Sequence, residues 1–216
     1  MNITKITRLS HIVLGLGILA YGTASAANGD KGLEGWEVYQ SSCVLCHGKA
    51  GRGDGSLGQK LGMRPADFVE RRSQLNEKSD LELAQEIKGD AGHLKGMPKW
   101  KDHYSDQQIS DVVGYIRFLV RSPEPIVGNP TEGERLYTQY CVSCHGASGR
   151  GDGFLGALLG IAPADHGSAN IKRRTNQELF NSVQTGKAKM PAWSGILDER
   201  QTVDVVAYIR LLPGTN

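Results

Sequence analysis

The sequence predicts an all-α protein built from two tandem domains of the same design. One observation is an internal repeat: the segments 43–67 and 141–165 are identical at 17 of 25 positions, at an offset of 98. The other is helical spacing of apolar residues near the end of each half, while no segment alternates as a strand would. These residues are Ile109, Val112, Val113, Ile116, Leu119 and Val120 in the first half and Val205, Val206, Ile209 and Leu212 in the second.

The chain begins with the pattern of a secretory signal peptide. Two basic residues precede an apolar run, Ile12 to Tyr21, and small residues with an Ala24-x-Ala26 cleavage signal follow. An uncleaved membrane anchor is the alternative, but this run is well short of the about 20 apolar residues that span a bilayer. We therefore expect residues 1–26 to direct export and to be removed near Ala26, which leaves the mature chain in the periplasm.

The repeat divides the mature chain into domains at 27–121 and 132–216. The segment 122–131 between them is rich in proline and glycine and has the composition of a linker. Beyond the aspartates that end the repeated segments, the offset between the halves falls from 98 to 93. The first half thus contains five extra residues, which we expect in the stretch Gly89 to Gly96.

Composition excludes several classes of protein. Charged residues make up 22% of the chain and hydrophobic residues 39%, so the chain is neither wholly disordered nor collagenous. Four cysteines in 216 residues are too few for a disulfide-dense scaffold. A formal net charge of +2 gives no electrostatic reason to expect nucleic acid as a partner.

All four cysteines lie in Cys-x-x-Cys-His motifs, the attachment signature of c-type haem. Two thiols three residues apart can form thioethers to the two vinyl groups of one haem, and the next residue is then placed to bind the iron. The motifs are Cys43, Cys46 and His47 in the first half and Cys141, Cys144 and His145 in the second. We therefore expect two covalently attached haem c groups.

Other interpretations of the cysteines are weaker. A redox-active dithiol does not need a histidine after the motif in both copies. Cysteine pairs that share a structural zinc ion usually lie within a few dozen residues, whereas these pairs are 98 residues apart. A chance match to the motif is disfavoured by its occurrence in both repeats.

The repeat also predicts the sixth ligand of each haem iron. A ligand used in both domains should occur at matched places, and Met97 and Met190 do, each followed by proline and, two residues later, tryptophan. Met63 is matched by Ile161 and is excluded. The remaining histidines, His93, His103 and His166, have no matched histidine, and we expect them at the surface, with His93 as a competitor of the nearby Met97.

The two motifs, each with a later Met-Pro pair and a final amphipathic helix, resemble class I cytochromes c. The tandem arrangement is similar to that of di-haem periplasmic cytochromes such as the cytochrome c4 group, over about Gly35 to Leu212. The resemblance implies the small helical cytochrome c fold twice over, with His–Met ligation and an electron-carrying role. It also implies that the loops at Pro65 and Pro163 contact the proximal histidines.

The same resemblance implies how the first and last helices of each domain pack. Gly35 with Tyr39 would meet Tyr115 in the first domain, and the second domain would use the corresponding residues Gly133, Tyr137 and Tyr208. Arginines in the two Gly-Arg-Gly-Asp-Gly turns, Arg52 and Arg150, are candidate partners for the haem propionates.

The predicted function is transfer of single electrons between redox proteins, without catalysis by the chain itself. Two axial positions filled on each iron would leave no site for a substrate. The alternative is a haem subunit of a periplasmic oxidoreductase or peroxidase with one labile axial ligand. Association with a membrane respiratory complex is compatible with either function.

Overall fold

The computed structural model describes residues 31–90, 96–122 and 124–214, so the predicted signal peptide at 1–26 lies outside the described residues. Within these ranges the chain forms α-helices and one π-helical turn, with no β-strand. The first half contains α1 (Lys31–Val38), the π-helical turn (Tyr39–Cys43), α2 (Val44–His47), α3 (Ser56–Lys60), α4 (Arg72–Glu77), α5 (Asp80–Lys88) and α6 (Asp106–Arg121). The second contains α7 (Pro130–Tyr140), α8 (Val142–His145), α9 (Phe154–Leu159), α10 (Ala169–Lys172), α11 (Asn176–Thr185) and α12 (Glu199–Leu211).

The two halves use the same order of elements, which confirms the predicted all-α fold. The long helices that end each half lie where the sequence predicts them, and α1 and α7 precede the two cysteine motifs. The apolar stripe of α6 is buried, with Ile109 and Val120 fully inaccessible and Val112 and Val113 nearly so. Burial of such a stripe, rather than helix propensity, accounts for most of the stability of a helix of this length.

The first and last helices of each half cross where a glycine allows their backbones to touch. A Cβ added to Gly35 would lie 2.1 Å from the carbonyl oxygen of Asp111, and one added to Gly133 would lie 1.9 Å from that of Asp204. No other residue type fits at such a distance. These glycines therefore fix how closely α1 approaches α6 and α7 approaches α12.

Paired tyrosines pack beside each crossing. The rings of Tyr39 and Tyr115 have centroids 5.1 Å apart, and those of Tyr137 and Tyr208 are 5.3 Å apart. Both pairs are tilted, an arrangement that aromatic rings favour. This packing agrees with what the resemblance to class I cytochromes c implies.

Two matched arginines fasten the last helix of each half to the short helices before it. Arg117 and Arg210 are largely buried, with side chains 12% and 2% exposed. Each guanidinium donates to two backbone carbonyl oxygens and one side-chain oxygen, so its charge is not left unsatisfied. The acceptors are Leu75, Lys78 and Asp80 for Arg117 and Lys172, Arg174 and Asn176 for Arg210.

Several short helices differ from the sequence prediction. The glycine-rich stretches after the cysteine motifs have a composition typical of loops, yet they contain α3 and α9. The sequence also does not predict the four short helices that follow, namely α4 and α5 in the first half and α10 and α11 in the second. Capping boxes begin two of them: Ser79 with Glu82 at α5, and Thr175 with Glu178 at α11. Such helices depend on their caps more than on a long apolar stripe.

These caps also correct the predicted position of the five extra residues in the first half. Ser79 lies 12 residues after Asp67, whereas Thr175 lies 10 residues after Asp165. Two of the five extra residues therefore lie ahead of α5. The other three follow α5, in the glycine-rich stretch before Met97.

The segment between the halves is packed rather than free. Helix α7 begins at Pro130, inside the segment 122–131 that the sequence predicts as a linker. The Glu124 carboxylate accepts a hydrogen bond from the Asn176 backbone N–H at 2.6 Å, and the Asn129 N–H donates to Asp204 Oδ1 at 2.7 Å. These bonds hold the segment against the second half.

The halves also contact each other directly. The Thr131 hydroxyl donates to Glu37 Oε1 at 3.0 Å. A Cβ added to Gly32 would lie 2.8 Å from the carbonyl oxygen of Leu211, so α1 approaches α12 closely. In the part of the chain that the structure describes, no helix has the length and apolar character needed to cross a bilayer.

We expect the α11 cap to contribute measurably to stability. Thr175→Ala removes the side-chain acceptor that the Glu178 N–H uses, and this should lower the free energy of unfolding by about 1 kcal/mol. Denaturant unfolding of the haem-loaded protein measures the effect. The control is Thr185→Ala in the last turn of the same helix, where the hydroxyl donates to the Asn181 carbonyl and caps nothing. Equal losses from both variants would contradict a specific capping effect.

Candidate haem-binding sites

Each cysteine motif forms a single helical turn that places both thiols on one face. The four-residue helices α2 and α8 begin directly after the first cysteine and end at the histidine. Residues three apart in a helix are neighbours on its surface. A glycine ends each turn: Gly48 has φ 75°, and an added Cβ would lie 1.8 Å from Asp54 Oδ1. The chain therefore turns tightly after His47. Gly146 allows the same turn after His145, where an added Cβ would lie 1.8 Å from Asp152 Oδ1.

The four cysteines are partly buried, and the first cysteine of each motif has a thiol pKa above its ordinary value. None of the four forms a disulfide. Burial, followed by the charge of Cys46, raises the pKa of Cys43 to about 12. Burial and Cys144 raise the pKa of Cys141 to about 12 in the same way. The first cysteine of each motif therefore lacks the lowered pKa that activates a redox dithiol.

Both motif histidines are held in the state that an iron ligand requires. The Nδ1 of His47 lies 3.3 Å from the carbonyl oxygen of Ala66, and that of His145 lies 3.0 Å from the carbonyl oxygen of Ala164. A carbonyl can only accept, so Nδ1 donates the proton and Nε2 keeps its lone pair. Burial also lowers the pKa of both histidines, which favours the neutral ring. The carbonyls belong to the residues after Pro65 and Pro163, as the resemblance implies.

The second half contains a large cavity at its motif. Its volume is about 610 Å³, within the range of roughly 300–1,000 Å³ that is usual for cofactor pockets. Cys141, Cys144 and His145 line it together with Met190, which is distant in sequence. The apolar face of α12 supplies further lining through residues such as Ile209.

The first half has a smaller cavity of the same kind, about 140 Å³ in volume. Cys43, His47 and Met97 line it, and Val112 and Ile116 of α6 form part of its wall. Its described lining does not include the second cysteine of the motif. In each half, the structure thus brings the predicted methionine and histidine to one cavity.

The residues present fit a haem c group. Each site combines paired thiols on one helical turn, an imidazole with a free Nε2, a thioether sulfur and an apolar wall. Thioether and imidazole ligands are those of cytochrome c irons. An apolar wall also suits the large flat ring of a haem.

The cationic residues at the cavities differ from those predicted. Arg52 and Arg150, the candidate propionate partners, are not among the lining residues, and the Arg52 guanidinium lies 4.0 Å from the Asp67 carboxylate. Lys78 and Arg174 do line the cavities, each directly before the N-cap of α5 or α11. Sequence comparison at a fixed offset missed this match because two extra residues precede α5.

The prediction that His166 lies at the surface is wrong. Only 8% of His166 is exposed, and its ring stacks on that of His145 with centroids 4.3 Å apart and planes 20° apart. At the matched place in the first half, the Phe68 ring stacks on His47 at 4.7 Å and the same angle. Burial, with smaller effects of His145 and Lys172, lowers the pKa of His166 to about 3. The alignment of His166 with the aromatic Phe68 at the offset of 98 is the sequence signal that could have revealed the burial of His166.

The remaining residues that the sequence does not assign as axial ligands are His103, His93 and Met63. His103 is exposed, as predicted. His93 lies outside the described residues, so its predicted competition with Met97 stays a prediction. Met63 is partly buried but does not line the cavity of the first half.

Comparison with known proteins identifies the family. The family model described as "Cytochrome C oxidase, cbb3-type, subunit III" matches residues 30–116 and 128–209. The chain is 27% identical over 218 residues to the cbb3-type cytochrome c oxidase subunit FixP of Bradyrhizobium diazoefficiens, covering 90% of this chain and 68% of that protein. It is 26% identical over 189 residues to the subunit CcoP of an Azospirillum species, covering 83% and 62% respectively.

A further relative belongs to a different enzyme system. The cytochrome c subunit of the quinone alcohol dehydrogenase of Gluconobacter oxydans is 30% identical over 95 residues, which cover 44% of this chain and 20% of that protein. The chain spans about two thirds or less of the length of these curated relatives. The predicted class, a class I cytochrome c with two tandem domains, is confirmed. The chain belongs to the cbb3-type cytochrome c oxidase subunit III family and binds two haem c groups covalently.

Proposed function

We propose that the chain is a periplasmic di-haem cytochrome that transfers single electrons between redox proteins. The observation that supports this most directly is the matched lining of the two cavities, each with a motif histidine and a distant methionine. Two filled axial positions suit electron transfer rather than bond chemistry, because no open iron site remains. The periplasmic location is supported by the signal-peptide pattern at 1–26.

The proposed haem contacts follow the two repeats. Cys43 and Cys46, and Cys141 and Cys144, would form the thioethers. His47 with Met97, and His145 with Met190, would be the axial ligands. Each bound haem supplies one-electron chemistry through its iron.

The protein groups hold and tune the cofactors. The Ala66 and Ala164 carbonyls fix the orientation of the ligand imidazoles and raise their basicity. The methionine thioethers raise the reduction potential. Lys78 and Arg174 are cationic lining residues at matched positions in the two cavities, where they could pair with haem propionates.

We propose further that the partners include a membrane respiratory complex. The relatives FixP and CcoP are named as subunits of a cbb3-type oxidase, and a third relative is named as a subunit of a quinone-linked dehydrogenase. In both systems the relative is a cytochrome c subunit of a larger redox assembly. By analogy, this chain would pass electrons within or to such an assembly.

Carbon monoxide binding tests this function against the alternative, a haem subunit of an oxidoreductase or peroxidase with one labile axial ligand. We expect the reduced protein to bind no carbon monoxide, because the methionines occupy both sixth positions. A spectroscopic titration counted per haem makes the measurement. One equivalent per protein would instead indicate an open or labile site and favour the alternative function, with Met97 as the first ligand to examine.

A further inference from the structure

The two haem sites differ at one buried position behind the proximal histidine. Phe68 occupies it in the first domain and His166 in the second. The backbone around the two is the same: the Phe68 N–H donates to the Gly51 carbonyl at 2.7 Å, and the His166 N–H donates to the Gly149 carbonyl at 2.7 Å. The position is therefore one structural place filled by two different rings.

Packing alone does not require a histidine there. Phe68 is 7% exposed and His166 is 8% exposed, and both rings lie 20° from the plane of the histidine on which they stack. An apolar ring thus fits the place. A buried polar ring in the same place must find hydrogen-bond partners or lose stability.

His166 has such a partner on the first helix of its domain. Its Nδ1 lies 3.2 Å from the Tyr137 hydroxyl, which also lies 3.3 Å from the carbonyl oxygen of Gly146. Gly146 directly follows His145 in sequence. The ring is therefore held in one orientation by a buried polar chain while its face lies against His145. In the first domain the Tyr39 hydroxyl donates to the Gly48 carbonyl at 2.7 Å, and the neighbouring ring is apolar.

We propose that His166 is a positioning residue of the second haem site and holds the reduction potential of that haem below the value that a phenylalanine would give. The proposal rests on the proposed role of His145 as an axial ligand. Haem iron in the oxidised state has one more positive charge than in the reduced state. A polar neighbour stabilises that charge better than an apolar one, and the surroundings of an axial ligand are a known means of tuning potential.

The consequence is a difference between the two haems that the repeat does not predict. With the same ligand types in both domains, the ring behind the histidine separates the two potentials. Phe68 favours the reduced state of the first haem and His166 favours the oxidised state of the second. Exchange of the two rings should therefore move the two potentials in opposite directions.

A spectroelectrochemical titration of the full-length di-haem protein tests the proposal. His166→Phe should raise one of the two potentials and leave the other unchanged. Phe68→His is the reciprocal variant and should lower the other potential. His103→Phe removes an exposed histidine of the first domain and should change neither.

Unchanged potentials in His166→Phe, or a lowered one, would overturn the proposal. If that variant does not fold with full haem content, Phe68→His decides the question, and failure to lower a potential would overturn it. The charge-transfer band of methionine-ligated ferric haem, recorded on the wild-type protein, separates this result from the proposed function. A normal band with unmoved potentials rejects only the role of His166, whereas absence of the band rejects the His–Met ligation itself.

Discussion

Met190→Ala is expected to open the sixth position of the second haem. The reduced variant should bind one equivalent of carbon monoxide, where the wild-type protein binds none. Loss of the thioether also removes the ligand that favours reduced iron. The potential of that haem should fall by a sizeable part of the roughly 0.8 V range over which axial ligands set haem potentials. Carbon monoxide titration and spectroelectrochemistry measure the two effects on one sample.

Matched variants make this result specific. Met97→Ala should have the same effect on the first haem, and the double variant should bind two equivalents. Met63→Ala is the control, because Met63 does not line the cavity although it lies close to the Met97 segment. A Cβ added to Gly96, the residue before Met97, would lie 3.2 Å from the terminal methyl of Met63. An oxidised spectrum of Met190→Ala identical to that of the wild-type protein would contradict ligation by Met190.

The sequence was informative wherever chemistry demanded fixed spacing. Attachment of haem needs two thiols on one helical turn and a histidine next to them, so the motifs alone predict two haem groups, and the structure has a cavity at each motif. The final helices were also predictable, because buried positions recur at helical spacing from Ile109 to Val120. The methionines could be selected only because the chain contains two copies of the unit.

Other elements depend on information that apolar patterning does not contain. The short helices α4, α5, α10 and α11 have few buried positions, and two of them begin at capping boxes such as that of Thr175 with Glu178. The proline- and glycine-rich composition around Asn129 indicates a linker between the halves. It did not indicate that the segment packs on the second domain through side chains far along the chain, such as Asp204.

The position of His166 was missed for a physical reason. Histidine is polar, and without a matched histidine it resembled a solvated residue. Its burial is decided by tertiary contacts with Tyr137 and His145, on other parts of the chain. A comparison by ring shape rather than by residue identity would have matched it to Phe68.

Gly133→Ala is expected to destabilise the second domain by about 1–3 kcal/mol, the usual cost of forcing an extra carbon into a packed contact. The added Cβ would lie 1.9 Å from the Asp204 carbonyl oxygen, which is backbone and cannot rotate away. Helix α7 must therefore move away from α12. Because α7 leads directly to Cys141 and α12 lines the same cavity, the displacement should also perturb the haem site.

The same substitution in an open place provides the control for this prediction. Gly114 lies in α6 with nothing within 4 Å of an added Cβ, so Gly114→Ala should stabilise the protein by about 0.5–1 kcal/mol through helix propensity. Gly35→Ala should behave like Gly133→Ala, since its Cβ would lie 2.1 Å from the Asp111 carbonyl oxygen. Denaturant unfolding of the three haem-loaded variants measures the changes. A gain in the free energy of unfolding for Gly114→Ala with a loss for Gly133→Ala would show that close backbone contact between the first and last helices controls the stability of each domain. Changes of the same sign in both variants would contradict this, because they would point to an effect of replacing glycine at any position.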